Sequence, residues 1–339
     1  MKRFVSEGKI GVVTGASSGI GRALVRLLAS RGMRLGLLAR GAAALEATGR
    51  EVEELGGRAL VLPGDVSDAG FVRAAASEVA SRWGGLDLWI NNAMVSVLGP
   101  AWEVSPEEFA RVTSVNYLGY VHGTMAALEH MRRRNRGLVV QVGSALAYRS
   151  IPLQSAYCAS KAAVRGFTDS VRSELAHEKS AVRIMMIQLP AVNTPQFDVM
   201  RNKMPRHPYP VPPLYQPELI AQAMLDAIEH PRRERWIGFS TTEAIIGQKL
   251  IPGTLDRYLG KTAWEGQQTD ELPREQSDNL VTPLPGDHGA HGSFDRDARQ
   301  SSGFIWATTH RGWIAGAAAG LLAAAGIRYW LRNGGGGGR

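Results

Sequence analysis

The chain has 339 residues, 44% of them hydrophobic and 21% charged, enough apolar material to bury a sizeable core in one large domain or two smaller ones. A single cysteine, Cys158, excludes a disulfide framework within the chain and suits a reducing compartment. The formal charge of +8 comes from scattered arginines, the densest group being Arg132 to Arg136, so no nucleic-acid partner is expected.

The basic start MKRFVSEGK runs directly into a strand-like stretch with no apolar leader before it, so Sec-type secretion is not expected; with a cysteine content suited to a reducing compartment, a cytoplasmic location is the expectation. From residue 9 to about 190, short aliphatic runs alternate with longer amphipathic ones. The runs KIGVVTG, RLGLLAR, RALVLPGDV, LDLWINNA, GLVVQVGS and VRIMMIQLP are bounded by Gly, Pro, Asp or Asn and read as strands buried on both faces. GRALVRLLASRG, ALEATGREVEELGG and DAGFVRAAASEVASRWG between them read as helices ending near glycine. This alternation defines an α/β fold with a doubly wound parallel sheet, the Rossmann fold.

Residues 195–217 are too rich in proline for regular helix or strand. A helix (PELIAQAMLDAIEH) and a strand (RERWIGFST) then complete a catalytic domain at about residue 240. Residues 241–303 form a polar extension. It opens on short helices in EAIIGQKLIPGTLDRYLG, and from residue 262 it is expected to be mostly irregular or disordered. Residues 304–339 are an Ala/Gly-rich apolar helix with a glycine tail.

The motif TGASSGIG, Thr14 to Gly21, lies between a strand and a helix. Gly15, Gly19 and Gly21 allow a tight turn and close approach to a pyrophosphate, which then sits on the helix N-terminus beside Ser17, Ser18 and Ile20. At the end of the next strand, where an acid would hold an NAD ribose, the chain has Ala39 and Arg40. An arginine there accommodates a 2′-phosphate, so NADP is the expected cofactor.

With GDVSD (Gly64 to Asp68), NNA (Asn91 to Ala93), VNYLG (Val115 to Gly119), Ser144 and YCASK (Tyr157 to Lys161) following in order, the chain resembles the short-chain dehydrogenase/reductase superfamily over roughly residues 7–240. The resemblance implies that Asp65 and Val66 lie beside the adenine and that Asn91 and Ala93 line the cofactor. It also implies a catalytic set of Asn116, Ser144, Tyr157 and Lys161, a water held by Asn116 that relays protons to Lys161, and association as a homodimer or homotetramer. Met94 and Ala191 stand where the family has glycine.

The chemistry explains a lysine in a chain where only seven of 39 basic residues are lysine. Reducing a ketone by hydride needs a proton donor, and a free tyrosine, with a pKa of about 10, exchanges protons poorly near neutrality. Tyr157 and Lys161 are four residues apart and share a helix face, so the ammonium can favour the phenolate and also hold the nicotinamide ribose. Ser144 can polarise the carbonyl as charge develops on its oxygen.

These residues predict an NADP(H)-dependent oxidoreductase acting on a small-molecule carbonyl or secondary alcohol. A non-catalytic dinucleotide sensor or membrane-tethered scaffold is the competing class, and epimerisation with a retained cofactor a further enzymatic one. Phe197, Met200, Met204, Tyr209 and Tyr215 suggest a hydrophobic substrate wall, and a proline-rich surface loop with incidental aromatics accounts for them as well. Cys158 reads as a small buried residue, and His288 and His291 read as loop, with no metal expected. Residues 312–331 combine an uncharged run, flanking Trp313, Tyr329 and Trp330 and GxxxG spacing, as a membrane anchor would, while a soluble Ala-rich helix is the alternative.

Overall fold

The computed structural model describes residues 4–273 and 277–310. Two units are distinguished, Met1–Gln300 and Ser301–Arg339. In the second, the described residues hold one short helix, Gly303–Thr309, whose first turn is capped by the Ser302 hydroxyl accepting from Ile305 N–H at 3.3 Å. The segment 312–331, weighed above as a membrane anchor or a soluble helix, lies outside the described residues. Among the described residues no helix is long and apolar enough to cross a membrane.

Seven strands form the central sheet of the first unit: β1 (Ile10–Thr14), β2 (Arg34–Ala39), β3 (Arg58–Pro63), β4 (Leu88–Asn91), β5 (Leu138–Ser144), β6 (Arg183–Leu189) and β7 (Glu234–Trp236). The order is β7-β6-β5-β4-β1-β2-β3, with every pairing parallel. All six aliphatic runs became strands, and β1, β4 and β5 are buried along their whole length, as a sheet covered on both faces requires. Only three residues of RERWIGFST are strand; its Phe239 already begins a helix.

The crossover helices are α1 (Gly19–Ala29), α2 (Ala42–Glu54), α3 (Ala69–Trp83), α4 (Pro106–Thr113), α5 (Gly119–Arg133), α6 (Ser155–His177) and α7 (Pro217–Glu229). One layer packs α1 against α2 and α7; the other packs α3 against α5 and α5 against α6. The chain order reverses between β1 and β4, so the loops leaving these two strands open a crevice at the carboxyl edge of the sheet.

Two further helices, α8 (Phe239–Leu250) and α9 (Pro252–Thr262), follow β7 as expected. Residues 195–217 are largely irregular but contain a four-residue helix, Gln196–Val199, and two-residue strands at Arg201–Asn202 and Leu214–Tyr215. The extension beyond 262 departs most from expectation. Its described residues are mostly irregular and exposed, yet anchored at points: Leu280, Ala290 and Ala298 are buried, and Gln267, also buried, donates to the Pro152 carbonyl at 2.8 Å. Its few apolar anchors are spaced without periodicity, so composition alone could not separate it from a disordered segment.

Candidate active site

The crevice is built by stapling the β1 and β4 loops together. The Thr14 hydroxyl accepts from Asn92 N–H at 2.9 Å and Ala93 N–H at 3.1 Å, and the Asn92 amide donates to the carbonyls of Thr14 and Gly15, each at 3.1 Å. Gly15 takes a φ of +64°, and a Cβ there would stand 2.8 Å from Ala93 Cα. At Gly21 a Cβ would come within 2.1 Å of the Gly15 carbonyl oxygen, so the third glycine serves closure of the turn. Ser18, the residue before α1, makes no side-chain cap, so the first-turn N–H groups take no acceptor from it.

A cavity of about 760 Å³ runs from this turn to the end of β5, within the size range of cofactor and substrate sites. Gly15, Ser17, Ser18, Gly19, Ile20, Arg40, Asp65, Val66 and Ala93 line one part; Ser144, Tyr157 and Lys161 line another, with Met94 and Ala191 nearby. Backbone donors at one end and a serine, a tyrosine and a lysine at the other could take a dinucleotide beside a substrate.

Two expected contacts fall elsewhere. Asn91 is fully buried behind the cavity: it accepts from Trp89 Nε1 at 2.7 Å and donates to Gln141 Oε1 at 2.8 Å, Thr124 Oγ1 at 3.1 Å and the Tyr120 carbonyl at 3.2 Å. The next residue, Asn92, lines the cavity in its place, because alternate side chains of a strand face opposite ways. Gly21 likewise lies outside the lining.

Asp65 is held by Ser67, through its N–H at 2.9 Å and hydroxyl at 2.8 Å, and by Arg111 at 2.5 Å. Burial opposes its charge, but these hydrogen bonds prevail and keep the carboxyl below its usual range. Arg40 donates to the carbonyls of Asn279, Leu280 and Val281 in the C-terminal extension.

Ser144 ends β5 and caps the following turn, accepting from Leu146 N–H at 3.2 Å. The first turns of α6 carry Tyr157 and Lys161, both facing the cavity. Burial drives the Tyr157 phenol well above its usual range, and a hydrogen bond with Ser144 pulls the other way. Burial alone brings the Lys161 ammonium down to about 7. Its Nζ donates to Tyr120 Oη at 2.9 Å and to the Val142 carbonyl at 2.8 Å, and lies 5.7 Å from the centre of the Tyr157 ring. With two of three donors committed, one N–H is left for a ribose hydroxyl.

Asn116 sits in a π-helical turn, Ser114–Leu118, between α4 and α5. Its amide accepts from Val95 N–H at 2.9 Å and donates to the Val95 carbonyl at 2.9 Å and Ser160 Oγ at 3.2 Å. It pins the β4 loop to α6 and does not itself line the cavity.

Sequence reasoning missed Tyr120, although its position four residues after Asn116 put both on one face of the same helical run. It also missed Thr194 and Arg149, both in the lining. Of the five residues expected at the substrate wall, Phe197 and Met200 line the cavity. Met204 packs with Leu98 and Leu153, Tyr209 bonds Asp297 at 3.2 Å, and Tyr215 is buried in a short strand pair. Ile151, Leu255 and Leu259 add to the apolar lining. Cys158 is buried, which raises its thiol pKa, and His291 bridges Asp295 at 2.8 Å and Glu218 at 2.9 Å.

The fold and the crevice define a nicotinamide-dinucleotide-binding α/β protein of the oxidoreductase type. Residues 9–205 match the family model for short chain dehydrogenases, and the chain belongs to the short-chain dehydrogenase/reductase family. It is 35% identical over 272 residues to the uncharacterized oxidoreductase YxnA of Bacillus subtilis, covering 78% of this chain and 76% of the relative. A short-chain dehydrogenase/reductase from Burkholderia phymatum in complex with NAD superimposes with a TM-score of 0.66 at 26% identity, over 81% of this chain and 99% of that one. An alcohol dehydrogenase from Thermococcus sibiricus complexed with 5-hydroxy-NADP superimposes with a TM-score of 0.59 at 30% identity, over 68% of this chain and 94% of that one.

Proposed function

We propose that the chain is an NADP(H)-dependent oxidoreductase interconverting a carbonyl and a secondary alcohol on a hydrophobic substrate. The observation that carries this reading is the presence of Ser144, Tyr157 and Lys161 on one cavity with the glycine turn and Arg40. A nicotinamide dinucleotide, when bound, supplies or accepts the hydride. Arg40 would hold its 2′-phosphate, the N-terminus of α1 its pyrophosphate, and Lys161 with Tyr157 its nicotinamide ribose.

In the reductive direction Ser144 hydrogen-bonds the carbonyl oxygen, stabilising the negative charge that develops there. Tyr157 then delivers its phenolic proton to that oxygen. The nearby Lys161 ammonium stabilises the phenolate left behind, offsetting the burial that otherwise disfavours it. Asn116 holds the β4 loop and α6 in register and so positions this set.

NADPH consumption with a panel of hydrophobic ketones, aldehydes and quinones tests the reading, with NADH in parallel and Tyr157→Phe as blank. Turnover with NADPH that vanishes in the variant is the expected result. Tight NADPH binding without turnover on any member would favour the sensor class instead.

A further inference from the structure

The donors that a dinucleotide's phosphates would seek are held by the chain's own C-terminal extension. Arg40 donates to the Leu280 carbonyl at 3.4 Å, to that of Val281 at 2.8 Å, and to that of Asn279. Gly19 N–H, at the start of α1, donates to the Gly289 carbonyl at 3.1 Å. Arg22, one turn into the same helix, pairs with Asp287, which brings a carboxylate to the mouth of a phosphate cradle. The segment is seated firmly. Leu280 is fully buried in the apolar cluster that holds Val66 and Val115, and its carbonyl also accepts from Arg111 at 2.9 Å.

These contacts set extension and ligand against each other. An arginine and a helix N-terminus bind anions better than neutral carbonyls, so phosphate oxygens are the stronger partners for the same donors. A carboxylate at Asp287 would meanwhile repel the incoming phosphates. Resting on the NADP(H) reading above, we propose that residues 279–289 are an intramolecular competitor for the adenosine-phosphate half of the dinucleotide site, released when the cofactor's phosphates take Gly19 N–H and Arg40.

Competition of this kind multiplies the apparent dissociation constant by the reciprocal of the released fraction. The pyrophosphate is common to both dinucleotides, so release at Gly19 weakens NADPH and NADH by the same factor. Discrimination between them stays with Arg40. A segment that instead roofs the bound cofactor has the opposite signature, because it would strengthen binding and be protected by it.

Two measurements on the full chain separate these behaviours. Amide hydrogen exchange across residues 279–289 is followed with and without saturating NADPH, and dinucleotide affinities are measured for Asp287→Asn by calorimetry. The Asp287 side chain is 41% exposed and Arg22 keeps Glu51 as a partner, so the variant should fold. Faster exchange with NADPH, and affinities for both dinucleotides tightened roughly fivefold in the variant, are the expected results. Protection of the segment by NADPH, or weaker binding in Asp287→Asn, would mark a roof and overturn the proposal while leaving the cofactor reading intact. Failure of both dinucleotides to bind wild type and variant alike would remove the cofactor reading, and the competitor with it.

Discussion

The Lys161 ammonium donates to the Tyr120 hydroxyl at 2.9 Å and lies 4.6 Å from the centre of that ring. Tyr120 in turn donates to the Val142 carbonyl at 3.0 Å, the same carbonyl that receives Lys161 at 2.8 Å. The lysine is therefore fixed from α5 and β5 before any ribose arrives, and its distance from Tyr157 is set by a residue outside the expected catalytic set.

Tyr120→Phe keeps the ring and removes the oxygen that accepts from the ammonium. Losing an acceptor disfavours the charged form, so the Lys161 pKa should fall further below about 7. Reductive kcat should drop roughly threefold to tenfold, and the pH at which activity declines should move downward. A merely structural role would lower activity without moving the pH profile, so a pH–rate series on both proteins decides the matter.

The lowered Lys161 pKa has two consequences of opposite sign. Reduction needs the ammonium, which is present below about 7 and lost as pH rises through that value, so reductive kcat/KM should fall across it. Folding stability should respond the other way. Between about 7 and the ordinary lysine value the unfolded chain binds the proton and the folded chain does not, so this group's contribution to stability rises with pH. Lys161→Met should abolish turnover while raising stability near pH 6 by about 1 kcal/mol or more, because Tyr120 still satisfies the Val142 carbonyl. Urea unfolding at pH 6 and 9 measures both effects, and a destabilised Lys161→Met protein would contradict this account.

Much of this architecture was legible in the sequence, for identifiable reasons. Strands such as Leu138–Ser144 are buried on both faces and so spell continuous apolar runs, and the β1–α1 turn needs glycines that sit in a fixed pattern. Tyr157 and Lys161 were legible because helical spacing converts a separation of four into adjacency. What escaped depends on contacts distant in sequence. Arg40 meets carbonyls some 240 residues away, and no local pattern in residues 277–292 announces that they return to the β1 turn. Asn91 points away from the crevice and Asn92 toward it, because the sequence marks the end of β4 without saying which of two adjacent asparagines faces the cavity.

Arg40→Ala removes both the proposed 2′-phosphate partner and one hold on the extension. NADPH affinity should fall by roughly tenfold to a hundredfold with the loss of charge-assisted hydrogen bonds. NADH affinity should stay level or improve, since that cofactor gains nothing from the arginine. Fluorescence titration with both cofactors checks the two directions together. An equal loss for both would mean that Arg40 supports the fold of the site without reading the phosphate.

The two asparagines ending β4 should separate cleanly under substitution. Asn91→Ala strands Trp89 Nε1 and Gln141 Oε1 in a buried setting, each formerly paired with the amide. Leaving such groups unsatisfied costs about 1–3 kcal/mol apiece, so the thermal midpoint should fall steeply while the cofactor KM of the remaining folded enzyme changes little. Asn92→Ala instead cuts the tie to the Thr14 and Gly15 carbonyls, at a half-buried position where water can replace the lost partner. Its stability cost should be the smaller of the two, but the glycine turn loses its brace and the cofactor KM should rise roughly tenfold. Thermal melts and cofactor titrations of the pair test this division of labour, and a raised cofactor KM in Asn91→Ala would return that residue to the cofactor wall.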